Sequence, residues 1–80
     1  MKEDVHNFIL ELLERKSPLP KDFDDNSDFI DAGIIDSIQI IKFVLDLEAK
    51  FGVEITDDEI VSQDFRNVRG LTNLIYSKIK

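Results

Sequence analysis

Cysteine is absent from the 80 residues, which excludes a disulfide framework, a thiolate metal site and a cysteine nucleophile. Histidine occurs once, at His6, too few for a zinc site or for a recognisable Ser–His–Asp arrangement. Bases are in short supply as well. Ten Lys and Arg stand against 17 Asp and Glu, a formal net charge of −7. That balance excludes nucleic acid and anionic membrane surfaces as partners and favours basic protein surfaces. No apolar run approaches the roughly 18 residues of a membrane helix. Residues 1–7 do not lead into an apolar stretch with a small-residue cleavage site, so no signal peptide is expected and the expected location is the cytoplasm.

What is present is the composition of a folded protein, 42% hydrophobic and 34% charged. Residues 1–80 are expected to form a single domain, and a monomer. A core this small supports about 3–5 kcal/mol of stability and has little room for a deep catalytic cleft. A binding or carrier module is therefore favoured over an autonomous catalyst.

Val5, Phe8, Ile9, Leu12 and Leu13 recur at helical spacing and predict an amphipathic helix over Glu3 to Lys16, stopped by Ser17-Pro18-Leu19-Pro20. From Lys21 to Asp36 neither period persists. One lysine faces six aspartates there, and Phe23, Phe29 and Ile30 are the anchors expected to pin this long loop to the core. Gly33 suits a turn with positive φ. Asp36 as cap, with Gln39 three residues on, predicts a capping box opening a second helix that runs to about Phe51 and ends at Gly52. Its apolar residues are too many for one stripe, so part of them is left for a partner.

Val53 to Ile55 reads as extended. Thr56 and Glu59 form a second capping-box pattern, opening a brief helix through Val61. A last helix is expected from about Asn67 to Ile79, with Val68, Leu71, Leu74, Ile75 and Ile79 inward and Gly70 at a close helix–helix contact. The prediction is an all-α, up-and-down four-helix bundle, three longer helices and one short, with a long acidic loop between the first two. Residues 21–36 and 54–64 each carry a net −5, whereas 37–53 is neutral and 65–80 carries +4.

A serine in the first turn of a helix offers its hydroxyl at the positive end of the macrodipole, where an attached anion is stabilised by about 0.3–1 kcal/mol. Ser37 is such a residue. Other patterns carry less. Asp22, Asp24, Asn26 and Asp28 have the alternation of a calcium loop, but Ser27 and Gly33 stand where its Gly and bidentate Glu belong, so a solvated acidic loop is expected. Arg66, Arg69, Lys78 and Lys80 are too few for a nucleic-acid footprint. His6 is expected to be a surface or half-buried structural residue.

Phe29, Ile30, Asp31, Gly33 and Asp36-Ser37-Ile38, followed by Leu47-Glu48 and Phe51-Gly52-Val53-Glu54-Ile55, resemble the acyl carrier protein family over nearly the whole chain. The resemblance implies that Ser37 accepts 4′-phosphopantetheine from coenzyme A through a phosphopantetheinyl transferase. The cofactor would supply the thiol that this chain lacks. Acyl or aminoacyl groups would be loaded as thioesters by an activating ligase and passed to an acyltransferase or synthase, the carrier itself catalysing nothing and binding no metal of its own. Asp36 would cap the helix and aid recognition by the transferase. The well-known fatty-acid carriers have a strongly acidic second helix, and this one is neutral, which implies docking through Ile38, Ile41 and Leu45 flanked by Asp36 and Glu48. The Gly33-to-Ser37 spelling is closer to stand-alone carriers served by a dedicated ligase, such as D-alanyl carrier proteins. The competing reading is an acidic helical adaptor for a basic partner, with no prosthetic group and Ser37 only a helix-start residue or a phosphorylation site.

Overall fold

The computed structural model describes residues 1–79; Lys80, counted above among the C-terminal bases, lies outside them. Four α-helices are present, α1 Lys2–Lys16, α2 Gln39–Phe51, α3 Asp57–Ile60 and α4 Val68–Ile79, with a 3₁₀ turn at Gln63–Arg66. No strand occurs among the described residues, as an all-α reading requires. None of these helices is long and apolar enough to cross a membrane.

Each helix ends for a local reason. Glu3 and Asp4 sit in the first turn of α1 and Arg15 and Lys16 in its last, charges that complement the peptide dipoles. Ser17 is already extended, as a residue before proline prefers. Gly52 closes α2 at φ 65°, its N–H donating to the Glu48 carbonyl at 2.9 Å. Thr56 and Glu59 make the reciprocal capping box of α3, and Glu59 also pairs with Lys78 of α4 at 2.8 Å. Asn67 caps α4 by accepting the Gly70 N–H at 2.7 Å.

The core joins Val5, Ile9, Leu12 and Leu13 of α1 to Phe43, Val44 and Leu47 of α2 and Val68, Leu71 and Ile75 of α4. Leu74 and Ile79, read as inward, are only half-buried against it. Phe29 from the loop and Phe65 from the 3₁₀ turn complete its centre. Phe29, Phe43 and Phe65 meet edge to face in all three pairings, with centroids 5.8, 6.4 and 6.0 Å apart, the geometry aromatic quadrupoles prefer. Phe23 and Ile30 pack half-buried beside them. Among the described residues Thr72 is the one buried polar residue, 4% exposed, and its hydroxyl has no hydrogen-bond partner there.

Two departures from the expected layout fall after α3. The 3₁₀ turn was not foreseen, because four residues are too few to show a period. Gly70, expected at a contact between helices, instead faces the backbone of Asp64 in that turn; a Cβ there would lie 2.6 Å from the Asp64 carbonyl oxygen. Backbone cannot yield as a flexible side chain can. Gly70→Ala should therefore lower stability by about 1–3 kcal/mol, the usual cost of overpacking, despite the better helix propensity of alanine. Urea denaturation measures this, and an unchanged midpoint would refute the close approach.

The long loop is tied down at two points, through Asp25 and through the ion pairs of Arg66 with Asp28 and Asp31. At the first, Asp25 accepts the Arg69 N–H on its carbonyl at 3.0 Å, and both its carboxylate oxygens lie 2.9 Å from His6 Nε2 on α1. The hydrogen bond to Asp25 raises the pKa of His6 above its ordinary 6.5, against the opposing effect of partial burial and with help from Asn7 and Glu3. A folded-state pKa above the unfolded one means stability that is complete below about 6.5 and lost as pH rises through the raised value. The stability of the wild type relative to His6→Gln should be greatest near pH 5.5 and shrink by pH 8.5. Thermal melts of the pair at both pH values test this, and a constant gap would remove the ion pair from the account.

Candidate functional site

Asp36, Ser37 and Ile38 lie between the loop and α2. Regular helical hydrogen bonding begins at Gln39, three residues after the expected start, with Ser37 and Ile38 in the turn before it. Ile38 flanks the helix and its side chain cannot cap. Asp36 does so from two residues further back. Its Oδ1 accepts the N–H groups of Ile38 and Gln39 at 3.0 and 2.8 Å. In return the Asp36 N–H donates to Gln39 Oε1 at 3.3 Å, and the Asp36 carbonyl accepts the Ile40 N–H at 3.0 Å. The capping box read from the sequence is thus present.

Ser37 is exposed, and its hydroxyl makes no hydrogen bond among the described residues. The site therefore offers an oxygen free to react, close to the positive end of α2. Because Asp36 occupies two of the first amides, an anion on Ser37 gains from the dipole more than from vacant N–H donors.

A turn of many hydrogen bonds delivers this segment. Phe29, fixed in the core, accepts the N–H groups of Ile34 and Ile35 at 3.1 and 3.3 Å. Gly33, at φ 75°, reverses the chain with its N–H on the Ile30 carbonyl at 3.0 Å. Ile34 and Ile35 are buried immediately before Asp36, so the chain emerges from the core at the cap. Asp24 and Asp28, weighed above as part of a calcium-like pattern, are committed to the loop itself. Asp24 Oδ1 accepts the Asn26 N–H, and Asp28 Oδ1 accepts those of Ile30 and Asp31.

Beside Ser37 lies a mostly apolar cavity of about 550 Å³, lined by Ile30, Ile35, Ile40, Ile60 and Val61 among others, with Arg66 its one cation. Along the outside, Ile38, Ile41 and Leu45 are 84, 61 and 56% exposed. They are spaced to share one face of α2, which is the strip left over from a helix with too many apolar residues. Lys42 on that helix is spent on Asp46 at 2.8 Å, a bond that lowers the Asp46 pKa. Glu48 is placed differently from these three. It is half-buried, and its Oε2 accepts the Ile55 N–H at 2.8 Å, fastening the chain after α2.

The sequence reading missed two residues of this region. Val61, 81% exposed at the end of α3, adds an apolar side chain to the rim of the cavity. Arg66 reaches Asp28 through Nε and Asp31 through Nη2, both at 2.7 Å. Its place just after the acidic stretch 54–64 was the only signal for it.

Residues 7–75 match the family model of the phosphopantetheine attachment site. Together with the four helices and the exposed serine turn, this places the chain in the acyl carrier protein family, whose cofactor is covalently attached 4′-phosphopantetheine. It is 37% identical over 59 residues to the acyl carrier protein of Lactobacillus acidophilus, a span covering 72% of this chain and 74% of that one. No solved structure matches it.

The two adjacent side chains should separate cleanly in stability. Asp36→Ala removes a cap accepting two amides and should cost about 1 kcal/mol. Ser37→Ala removes a hydroxyl without a partner and should stay within about 0.5 kcal/mol of wild type. Denaturation midpoints of the two variants give the comparison, and an equal loss from both would mean the serine is structural.

Proposed function

We propose that Ser37 is the attachment point of 4′-phosphopantetheine and that the chain shuttles acyl or aminoacyl groups between cytoplasmic enzymes without catalysing a step itself. The observation that carries this reading is the free, exposed Ser37 hydroxyl on a hydrogen-bonded turn at the start of α2, inside the segment matched by the family model. When attached, the group supplies the thiol on which cargo rides as a thioester. The role of the protein residues is to present and to dock. Asp36 holds the turn in shape and contributes to recognition by the phosphopantetheinyl transferase. The cavity between Ile35, Ile40 and Ile60 offers apolar surface beside the attachment point.

Docking falls to Ile38, Ile41 and Leu45, joined by Val61, with Asp31 and Asp36 as an acidic rim. Glu48 supports that surface by holding Ile55 in place. Neutrality along α2 favours a partner with an apolar groove bordered by bases, such as a dedicated activating ligase or an acyltransferase.

Incubation with coenzyme A, Mg²⁺ and a broad-specificity phosphopantetheinyl transferase should add the mass of one phosphopantetheine, and Ser37→Ala should abolish the gain. An unchanged mass beside a control carrier that is modified would favour the adaptor reading.

A further inference from the structure

Arg66 stands where three parts of the structure meet. Its own carbonyl accepts the Phe29 N–H at 2.9 Å. Its guanidinium grips the same loop from the other side, Nε on Asp28 Oδ2 and Nη2 on Asp31 Oδ1. The second oxygen of Asp28 organises the turn by accepting the Ile30 and Asp31 amides, each at 2.9 Å. From there the bonds run on without a gap: the Asp28 carbonyl takes the Ala32 N–H, the Ile30 carbonyl that of Gly33, and the Phe29 carbonyl those of Ile34 and Ile35. The next residues are Asp36 and Ser37. Arg66 also lines the cavity that Ser37 borders.

We propose that Arg66 is a positioning residue for Ser37, holding the turn of residues 28–35 in the one conformation that presents the serine hydroxyl to the transferase. The forked guanidinium suits this task, because it bridges two carboxylates three residues apart in a fixed plane, which a lysine ammonium cannot do. Burial works against the charged form of Asp28, yet the Asp31 N–H and the Arg66 guanidinium together hold its carboxyl below the ordinary value. The same pair raises Arg66 further above its own. Asp28 and Arg66 thus favour each other's charged form. The inference rests on the reading of Ser37 given above.

Two measurements on the full chain separate the possibilities. Amide exchange of the apo protein reads the turn directly. Arg66→Gln should speed exchange at Ile30, Asp31, Ile34 and Ile35 by about 10-fold or more while the amides of Leu12 and Ile75 stay within about 2-fold of wild type. Arg66→Lys, which keeps one charged contact, should recover part of that protection. Transferase kinetics read the consequence: kcat for Arg66→Gln should fall by about 10-fold and by more than KM changes, because the apolar docking residues Ile38, Ile41 and Leu45 are untouched while the hydroxyl is misplaced. Unchanged exchange in the turn, or exchange that rises equally in α1 and α4, would overturn the proposal. So would a loosened turn that is still modified at the wild-type rate, or a loss confined to KM. Should Arg66→Gln be too unstable to isolate, Arg66→Lys carries the same comparison with smaller changes in the same places. If the wild type itself is not modified, the reading of Ser37 fails and the positioning role fails with it, while the exchange data still report whether Arg66 holds the turn.

Discussion

The structure depends on the three-way contact of Phe29, Phe43 and Phe65. These rings come from elements with little else in common: a loop without regular structure, the second long helix and a four-residue turn. Ordering the stretch between α1 and α2 costs about 1–2 kcal/mol of backbone entropy per residue, and it contributes few buried side chains to offset that. Phe29 is the one that reaches the centre. Burying a phenylalanine is worth about 1.5–3 kcal/mol, so the ring alone cannot hold the loop. The hydrogen bonds on its N–H and its carbonyl, and the burial of Ile34 and Ile35, add to that hold.

From that anchor the geometry of the serine turn follows by short steps. Phe29 fixes Ile34 and Ile35 through its carbonyl, these two are buried, and the residue after them is the helix cap. Ser37 is thus two residues from the core and still exposed. A free loop would average over many orientations of that hydroxyl, whereas this one restricts them. The exposed strip on α2 follows from the same arrangement, because a helix packed on only one side leaves Ile38, Ile41 and Leu45 facing out.

The features readable in the sequence were those whose cause is local. The apolar stripe of α1, the boxes at Asp36–Gln39 and Thr56–Glu59, and the glycines at positions 33 and 52 each depend on neighbours within a few residues. The anchors in the loop were readable too, since a large apolar residue in an acidic stretch has few other roles. Contacts across long separations were not. Arg66 meets Asp28 and Asp31 across 38 and 35 positions, and nothing in the composition of either segment selects that pairing over several alternatives. Val61 escaped because a four-residue helix has no period from which to assign a face. The start of α2 was misplaced for a related reason: capping residues announce a helix, but whether the first turn winds regularly depends on how the preceding chain leaves the core. As for the candidate site, Ser37 was legible as a serine at a helix start, the resemblance implied its cofactor, and the structure supplied its surroundings.

The bare strip on α2 and Val61 also bears on how copies of the chain behave toward one another. Four large apolar side chains at the surface would ordinarily invite sticking. Here the stretches on either side are acidic, and the nearby bases Lys42 and Arg66 are already neutralised by carboxylates of their own. Two molecules approaching strip to strip would bring like-charged borders together before the oily faces could touch. Like-charged borders would disfavour that approach, while a surface of opposite sign would meet no such barrier.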